Sequence, residues 1–268
     1  MAEDVSKIPK NKRYDLLDIL RGFALINMIA FHAMYDVVFI FGHPCKWYTG
    51  KVGYVWQQYI CWSFILISGF CWQYSKKKLK RGLIVFGAGA LVTVVTLLFM
   101  PEESVIFGVL TLIGSSMLLL IPLHKGIEKI VGKNVKVKRI VFTAGLLINI
   151  LFFVITKNIT FMELGFEGFS LTKLPESLYH CGYGMTFLGF CDKSFRSSDY
   201  FPLMPWFFLF AIGYFLNRIT EENHEKLTRF NSNLKLMSPF KFMGRHSLLI
   251  YLLHQPVIYG VLWAIHSI

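Results

Sequence analysis

The sequence predicts an all-α, polytopic integral membrane protein: a helical bundle of about seven transmembrane helices, N-terminus in the cytoplasm and C-terminus on the outer side. Three observations lead there. Of 268 residues, 54% are hydrophobic and 16% aromatic, with a mean hydropathy of +0.51, which is more apolar surface than one soluble core can bury. These apolar residues are gathered into windows of roughly 18 to 25 with few charges, the length that crosses a ~30 Å hydrocarbon layer as a helix. Finally, 22 of the 28 Lys and Arg fall in the N-terminal segment and in alternate connections between the windows.

The windows run Leu16 to Phe41, Val55 to Tyr74, Leu83 to Met100, Val105 to Leu123, Ile140 to Thr156, Phe201 to Ile219 and Ser247 to Ile265. The segment through Arg21 holds five basic residues, Lys76 to Arg81 five, Lys125 to Arg139 six and Arg218 to Arg245 six, while the other connections share six. Basic residues near span ends are retained in the cytoplasm, which sets the orientation. The net charge of +12 is therefore mostly a topology signal. A nucleic-acid partner would call for a basic soluble domain, and none is present in the pattern. The basic connections suit anionic lipid headgroups or an anionic cytosolic ligand.

Met1 to Tyr14 is polar and basic, and the apolar stretch after it is too long for a signal-peptide core, so the first helix is expected to stay in the membrane. Cys61 and Cys71 lie inside the second window as small buried residues. Cys45, Cys181 and Cys191 all fall on the expected outer side, where a disulfide between two of them is chemically available, the pair being left open. One membrane domain covers residues 1–268, with an extended outer loop over about 157–200 that is rich in Gly, aromatics and Ser and is expected to fold over the outer mouth of the bundle. Thr220 to Met243 is its polar cytoplasmic counterpart, with room for a short amphipathic helix.

Chemistry is expected where ionisable groups enter the apolar windows, because each costs several kcal/mol there unless it meets a partner or a water-filled cavity. The first window concentrates them. Asp18, Arg21, His32, Asp36 and His43 follow at steps of 3, 11, 4 and 7 residues, which at ~100° per residue return close to one azimuth. Arg21 and His43 would stand about 33 Å apart along a continuous helix, enough for a polar stripe from one surface to the other. His32 and Asp36 at i, i+4 suit a proton acceptor and the carboxylate that orients it; simple hydrogen bonding to neighbouring helices is the plainer reading. Asp18 and Arg21 at i, i+3 form an ordinary helix-end ion pair or part of a site. A metal centre on His32, Asp36 and His43 is disfavoured, since the two histidines lie about 16 Å apart on an ideal helix, and no metal is expected. Phosphate loops, nucleophile elbows and paired CxxC motifs are missing, which removes the common soluble enzyme classes. In the last window Ser247, Tyr251 and His254 share one face, and His254, near mid-membrane, needs a partner inside the bundle, for which the polar first helix is the natural candidate.

Three stretches then carry a resemblance. Arg13-Tyr14-Asp15-Leu16-Leu17-Asp18-Ile19-Leu20-Arg21-Gly22 is followed by an apolar run and His32. Asp199-Tyr200-Phe201-Pro202-Leu203-Met204-Pro205-Trp206 opens the sixth window, and Gly244-Arg245-His246-Ser247-Leu248-Leu249-Ile250-Tyr251-Leu252-Leu253-His254 opens the seventh. In this order they resemble the heparan-α-glucosaminide N-acetyltransferase catalytic-domain family, whose small bacterial members have this length. The resemblance implies an acetyl-CoA-dependent enzyme that moves an acetyl group from cytosolic acetyl-CoA, as cosubstrate, to an amino sugar or cell-envelope glycan on the outer side. The family's catalytic histidine, near the outer end of the Arg-Gly helix, maps to His43. His32 stands where the lysosomal relative has asparagine, and Thr111, in Gly108-Val109-Leu110-Thr111-Leu112-Ile113-Gly114, stands where many bacterial members have His. The division of labour between His43 and His32 stays open.

On this reading Arg21 and Arg245, with His254, hold the donor, and His43 or His32 acts as general base or carries the acetyl group transiently, with Asp36 orienting His32. Asp199 and Trp206 face the acceptor, unless Asp199 is a helix cap. The expected setting is the bacterial cytoplasmic membrane, with membrane lipids as neighbours and a homo-oligomer compatible with the pattern. Two alternatives share the stripe: a membrane O-acyltransferase of cell-envelope glycans, whose members also begin with an Asp-x-x-Arg-Gly helix, and a proton-coupled transporter.

Overall fold

The computed structural model describes residues 14–221 and 235–267. Its helices are α1 (Asp15–Tyr35), α2 (Lys46–Thr49), α3 (Lys51–Cys71), α4 (Lys78–Phe99), α5 (Val109–Val131), α6 (Val135–Thr156), α7 (Gly182–Leu188), α8 (Leu203–Ile219), α9 (Ser238–Arg245) and α10 (Ser247–His266). Among the described residues, five segments are long and apolar enough to cross a membrane: Asp15–Ile40, Lys78–Phe99, Val109–Val131, Val135–Phe161 and Ser247–His266. The protein is thus an integral membrane protein, and five of the seven expected spans meet both criteria. The other two windows are helical but fall short in different ways. α3 has 21 residues, but Tyr54, Gln57, Gln58 and Tyr59 lower its hydropathy. α8 is apolar but has 17 residues, about 26 Å of helix, and helical backbone begins only after Met204, whose ψ is 132°.

The chain divides into two compact units, residues 1–64 with 220–268 and residues 65–219. In the first, α1 packs on α9 and α10. Leu25 and Met28 of α1 and Ile60 of α3 form a buried cluster, covered by Phe31, Trp56, Phe64, Met243 and Tyr251. The amphipathic helix expected within Thr220 to Met243 is α9 in part, and residues 222–234 of that stretch lie outside the described residues. In the second unit α4 pairs with α5, and α6 with α8. Between membrane helices the gain comes from close packing rather than from hydrophobic transfer, so small residues set the contacts. A Cβ on Gly69 would lie 1.9 Å from the Phe210 carbonyl oxygen, and one on Gly89 2.5 Å from Thr111 Oγ1. Thr111, where this sequence departs from the pattern it resembles, is thereby part of the α4–α5 contact.

The described residues are mostly helical, as an all-α bundle requires, with one short addition. The loop after α6 contains a two-stranded antiparallel hairpin, β1 (Glu163–Phe166) and β2 (Phe169–Lys173), with a register shift between Leu164 and Gly165. Glu167 takes a left-handed φ of 50° in its turn. Asn158 Nδ2 donates to the carbonyls of Glu167 at 2.8 Å and Phe169 at 3.2 Å, tying the hairpin to the end of α6. A helix-period reading missed it because four- and five-residue strands carry too few positions to show alternation.

Candidate active site

The first unit assembles most of the predicted site. Gly22 of α1 faces the Phe240 carbonyl, and Gly244 of α9 faces the Asp18 carbonyl, where added Cβ atoms would come within 2.0 Å and 1.9 Å of the oxygens. The glycines of the Arg-Gly and Gly-Arg stretches are therefore the points at which the two backbones touch. Their arginines meet as a result. Arg245 Nε lies 3.3 Å from Asp18 Oδ2 and its Nη2 3.3 Å from Asp15 Oδ1, while Arg21 Nη1 lies 3.8 Å from Asp18 Oδ1. Lys241 Nζ reaches Asp15 Oδ2 at 2.7 Å. Among the described residues of this cluster, three cations share two carboxylates, so Arg21 and Arg245 are partly neutralised before any ligand arrives.

Further along α1, the His32 ring packs at 4.8 Å and 62° against the ring of His254 on α10. The neighbouring Gln255 donates its amide Nε2 to Asp36 Oδ1 at 2.6 Å. Asp36 is fully buried, so this bond stands in for hydration that the carboxylate has lost. The His254 Nδ1 contacts the Tyr251 carbonyl, which can only accept, so Nδ1 carries the proton and Nε2 presents a lone pair. That Nε2 is buried and meets no hydrogen-bond partner among the described residues. It lies on the ring that packs against His32.

The stripe does not run the full length of one helix. At Asp36 the α-helix widens into a π turn, Asp36–Ile40, and the chain leaves it at Gly42, with φ +72°. The His43 amide closes the end by donating to the Val37 carbonyl at 3.0 Å. His43 is therefore carried off the stripe azimuth by the extra residue in the turn and by the glycine reversal, which is a correction to the straight-helix expectation. It finds a partner instead: His43 Nε2 lies 2.9 Å from Nε2 of His266, at the end of α10, and the Phe41 ring packs 4.5 Å from His266. One proton lies between the two rings, so one imidazole donates and the other accepts.

Asp199 and Trp206 lie in the second unit. Asp199 Oδ2 accepts from the Val109 backbone N–H at 3.3 Å and so caps α5, a helix distant in sequence, rather than the helix that follows it. Trp206 is buried against Phe201 and Phe153, at ring separations of 5.1 and 6.1 Å, with the Lys157 ammonium 5.4 Å from its ring. Cys45, Cys181 and Cys191 are not joined in a disulfide. Among the described residues no group of three or more His, Cys, Asp or Glu could hold a metal ion.

Glycine contacts, paired arginines and the contact of His32 with His254 all fall on the stretches that carried the resemblance. The family described as heparan-alpha-glucosaminide N-acetyltransferase, catalytic, matches residues 13–256. The chain belongs to this family. Membership places it among membrane acyltransferases. No curated protein and no solved structure matches the chain. The family match takes in His32, Asp36, His43 and His254 but ends ten residues before His266. The pairing of His43 with His266 was invisible in the sequence, since 223 residues separate the two and no helical spacing relates them.

Proposed function

We propose that the protein transfers an acetyl group from cytosolic acetyl-CoA to an amino sugar or cell-envelope glycan on the outer side of the bacterial cytoplasmic membrane, as one acyltransferase domain over residues 1–268. The observation that carries this reading is the approach of two imidazoles of the first segment, His32 on α1 and His43 beyond its end, to His254 and His266 of α10. A base is what the reaction needs. As the acceptor amine attacks the thioester carbonyl, the C–N bond forms and the C–S bond breaks, the amine proton passes to an imidazole, and the departing thiolate takes up a proton. His43, with His266 sharing its proton, and His254, with Nε2 unprotonated, are both built to accept one. His32 and the buried Asp36 complete the polar line, Asp36 orienting His32 and fixed in turn by Gln255.

Arg21 and Arg245 lie at the end of α1 that the distribution of Lys and Arg puts in the cytoplasm, where CoA is. Their surplus charge over Asp15 and Asp18 supports a role in holding the donor. Asp199 and Trp206 contribute to the acceptor side by fixing the segment ahead of α8. The test is incubation of the purified protein with labelled acetyl-CoA and a panel of amino sugars and envelope glycans, followed by mass spectrometry. Label on an acceptor nitrogen supports N-acetyl transfer, label on a hydroxyl moves the reading to O-acetyl transfer, and no transfer to any acceptor with no acetyl-CoA binding removes it.

A further inference from the structure

The second unit holds a cluster of ionisable side chains that the proposed reaction leaves unused. It gathers where α3 gives way to α4, in the last turns of α5 and at the end of α8. Trp72 is buried and donates its indole N–H to the Met117 carbonyl at 3.0 Å, which fixes the ring. The Lys78 ammonium lies 4.7 Å from the centroid of that ring. His124 and Tyr214 stand edge-on to the same indole, at 5.4 and 5.7 Å, and His124 Nδ1 meets the Tyr214 hydroxyl at 2.8 Å. Arg218 Nη2 is 2.6 Å from Glu128 Oε1, with its guanidinium 4.8 Å from the Phe142 ring.

Lys78 stands apart from the carboxylates of this cluster among the described residues. Lys78 and Arg218 are both cations within electrostatic reach of His124, and Glu128 is a carboxylate within the same reach. Glu128 is bonded to Arg218, and among the described residues no carboxylate pairs with Lys78. A half-buried ammonium recovers part of its lost hydration from an indole face, and an anion would supply the rest. Lys76, Lys77, Lys80 and Arg81 are exposed beside it, which favours an anion of more than one charge. An ammonium, a phenol, an imidazole and a guanidinium arriving from three helices suit the several oxygens of a phosphate better than a planar carboxylate.

We propose that Lys78, held on Trp72 and flanked by His124, Tyr214 and Arg218, anchors a binding site for a phosphate-bearing anion. Two sources offer this chemistry: the phosphates of CoA, which rests on the function proposed above, and the headgroup of an anionic phospholipid, which does not.

The full-length protein distinguishes them. CoA, dephospho-CoA and pantetheine are titrated calorimetrically into wild type, Lys78→Gln and Lys78→Arg, and retention of phosphatidylglycerol against phosphatidylcholine is measured by native mass spectrometry. Loss of one charge-assisted contact should weaken the ligand about tenfold or more in Lys78→Gln, with Lys78→Arg recovering most of it. In the wild type the same ligand should slow amine-reactive labelling of Lys78, read by peptide mass spectrometry, and this measurement decides the matter if Lys78→Gln does not fold. A change confined to CoA assigns the nucleotide, and a change confined to phosphatidylglycerol assigns the lipid. If CoA fails to bind the wild type at all, the donor reading falls and the lipid arm judges the site. Unchanged affinities for both ligands in Lys78→Gln, with Lys78 labelled equally fast in their presence and absence, overturn the proposal.

Discussion

Replacing Gly244 with Ala should force α9 away from α1. The new Cβ would lie 1.9 Å from the Asp18 carbonyl oxygen and 2.6 Å from its carbon, both backbone atoms, so no side chain can swing aside. Ordinary contact begins at 3.4 Å, so the helices must separate there by about 1.5 Å. Overpacking of this kind costs about 1–3 kcal/mol. The same displacement stretches the 2.7 Å Lys241–Asp15 and 3.3 Å Arg245–Asp18 pairs; both are partly exposed, Arg245 by 41%, so they add at most about 1 kcal/mol together. We expect a loss of about 1–4 kcal/mol for Gly244→Ala, and a similar loss for Gly22→Ala, whose Cβ would sit 2.0 Å from the Phe240 oxygen. Gly87→Ala in α4 is the control: nothing lies within 4 Å of its Cβ, so better helix propensity should leave the protein unchanged or up to about 1 kcal/mol more stable. Because Gly22 and Gly244 serve one interface, the double variant should lose less than the sum of the two. The assay is denaturant-titrated or thermal unfolding of purified protein. A Gly244→Ala variant as stable as Gly87→Ala would refute the close approach.

Four further outcomes follow from particular contacts. His43→Ala should lower acetyl transfer by about 10²–10⁴-fold with donor binding intact, and His266→Ala should lower it less while changing its pH profile; equal activity in both would remove the pair from the reaction and leave His254 and His32 to be tested. A reporter after Lys80 should be cytoplasmic and one within Thr172 to Ser177 external, and labelling of the Lys76 to Arg81 loop in intact cells would reverse the orientation. Burial pushes the Cys191 thiol up, whereas Cys181 is exposed, so maleimide should modify Cys181 faster at neutral pH, with mass spectrometry reading each site. The Glu176 carboxyl is held below its usual range by the hydrogen bond and charge of Lys193, and that of Asp192 by hydrogen bonds from Ser194. Both are charged and contribute above the ordinary carboxylate pKa, and both contributions fade as pH falls through the depressed values, so amide protection across residues 176–196 should decline below about pH 4; constant protection down to pH 2 would count against this network.

Much of this protein is written in local pattern. Apolar windows of bilayer length made the membrane its solvent, and α1, α4, α5, α6 and α10 fall on five of those windows to within several residues, because hydropathy and helix length are properties of a segment on its own. The Arg-Gly and Gly-Arg stretches marked the α1–α9 contact and the family. What the sequence left undecided needed a second segment. Whether His43 stayed on the stripe depended on a π turn that one extra residue creates, and its partner, His266, comes from the far end of the chain. The roles of Arg21 and Arg245 likewise turned on Asp15 and Asp18 lying under α9, and that of Asp199 on the start of α5. Lys78 could be counted as a topological charge from its position alone, but that it rests on Trp72 could not be read there. Periodicity tells which face of a helix is polar; only packing decides which group that face meets, since contact free energies depend on ångström-scale approach between residues that no spacing rule connects.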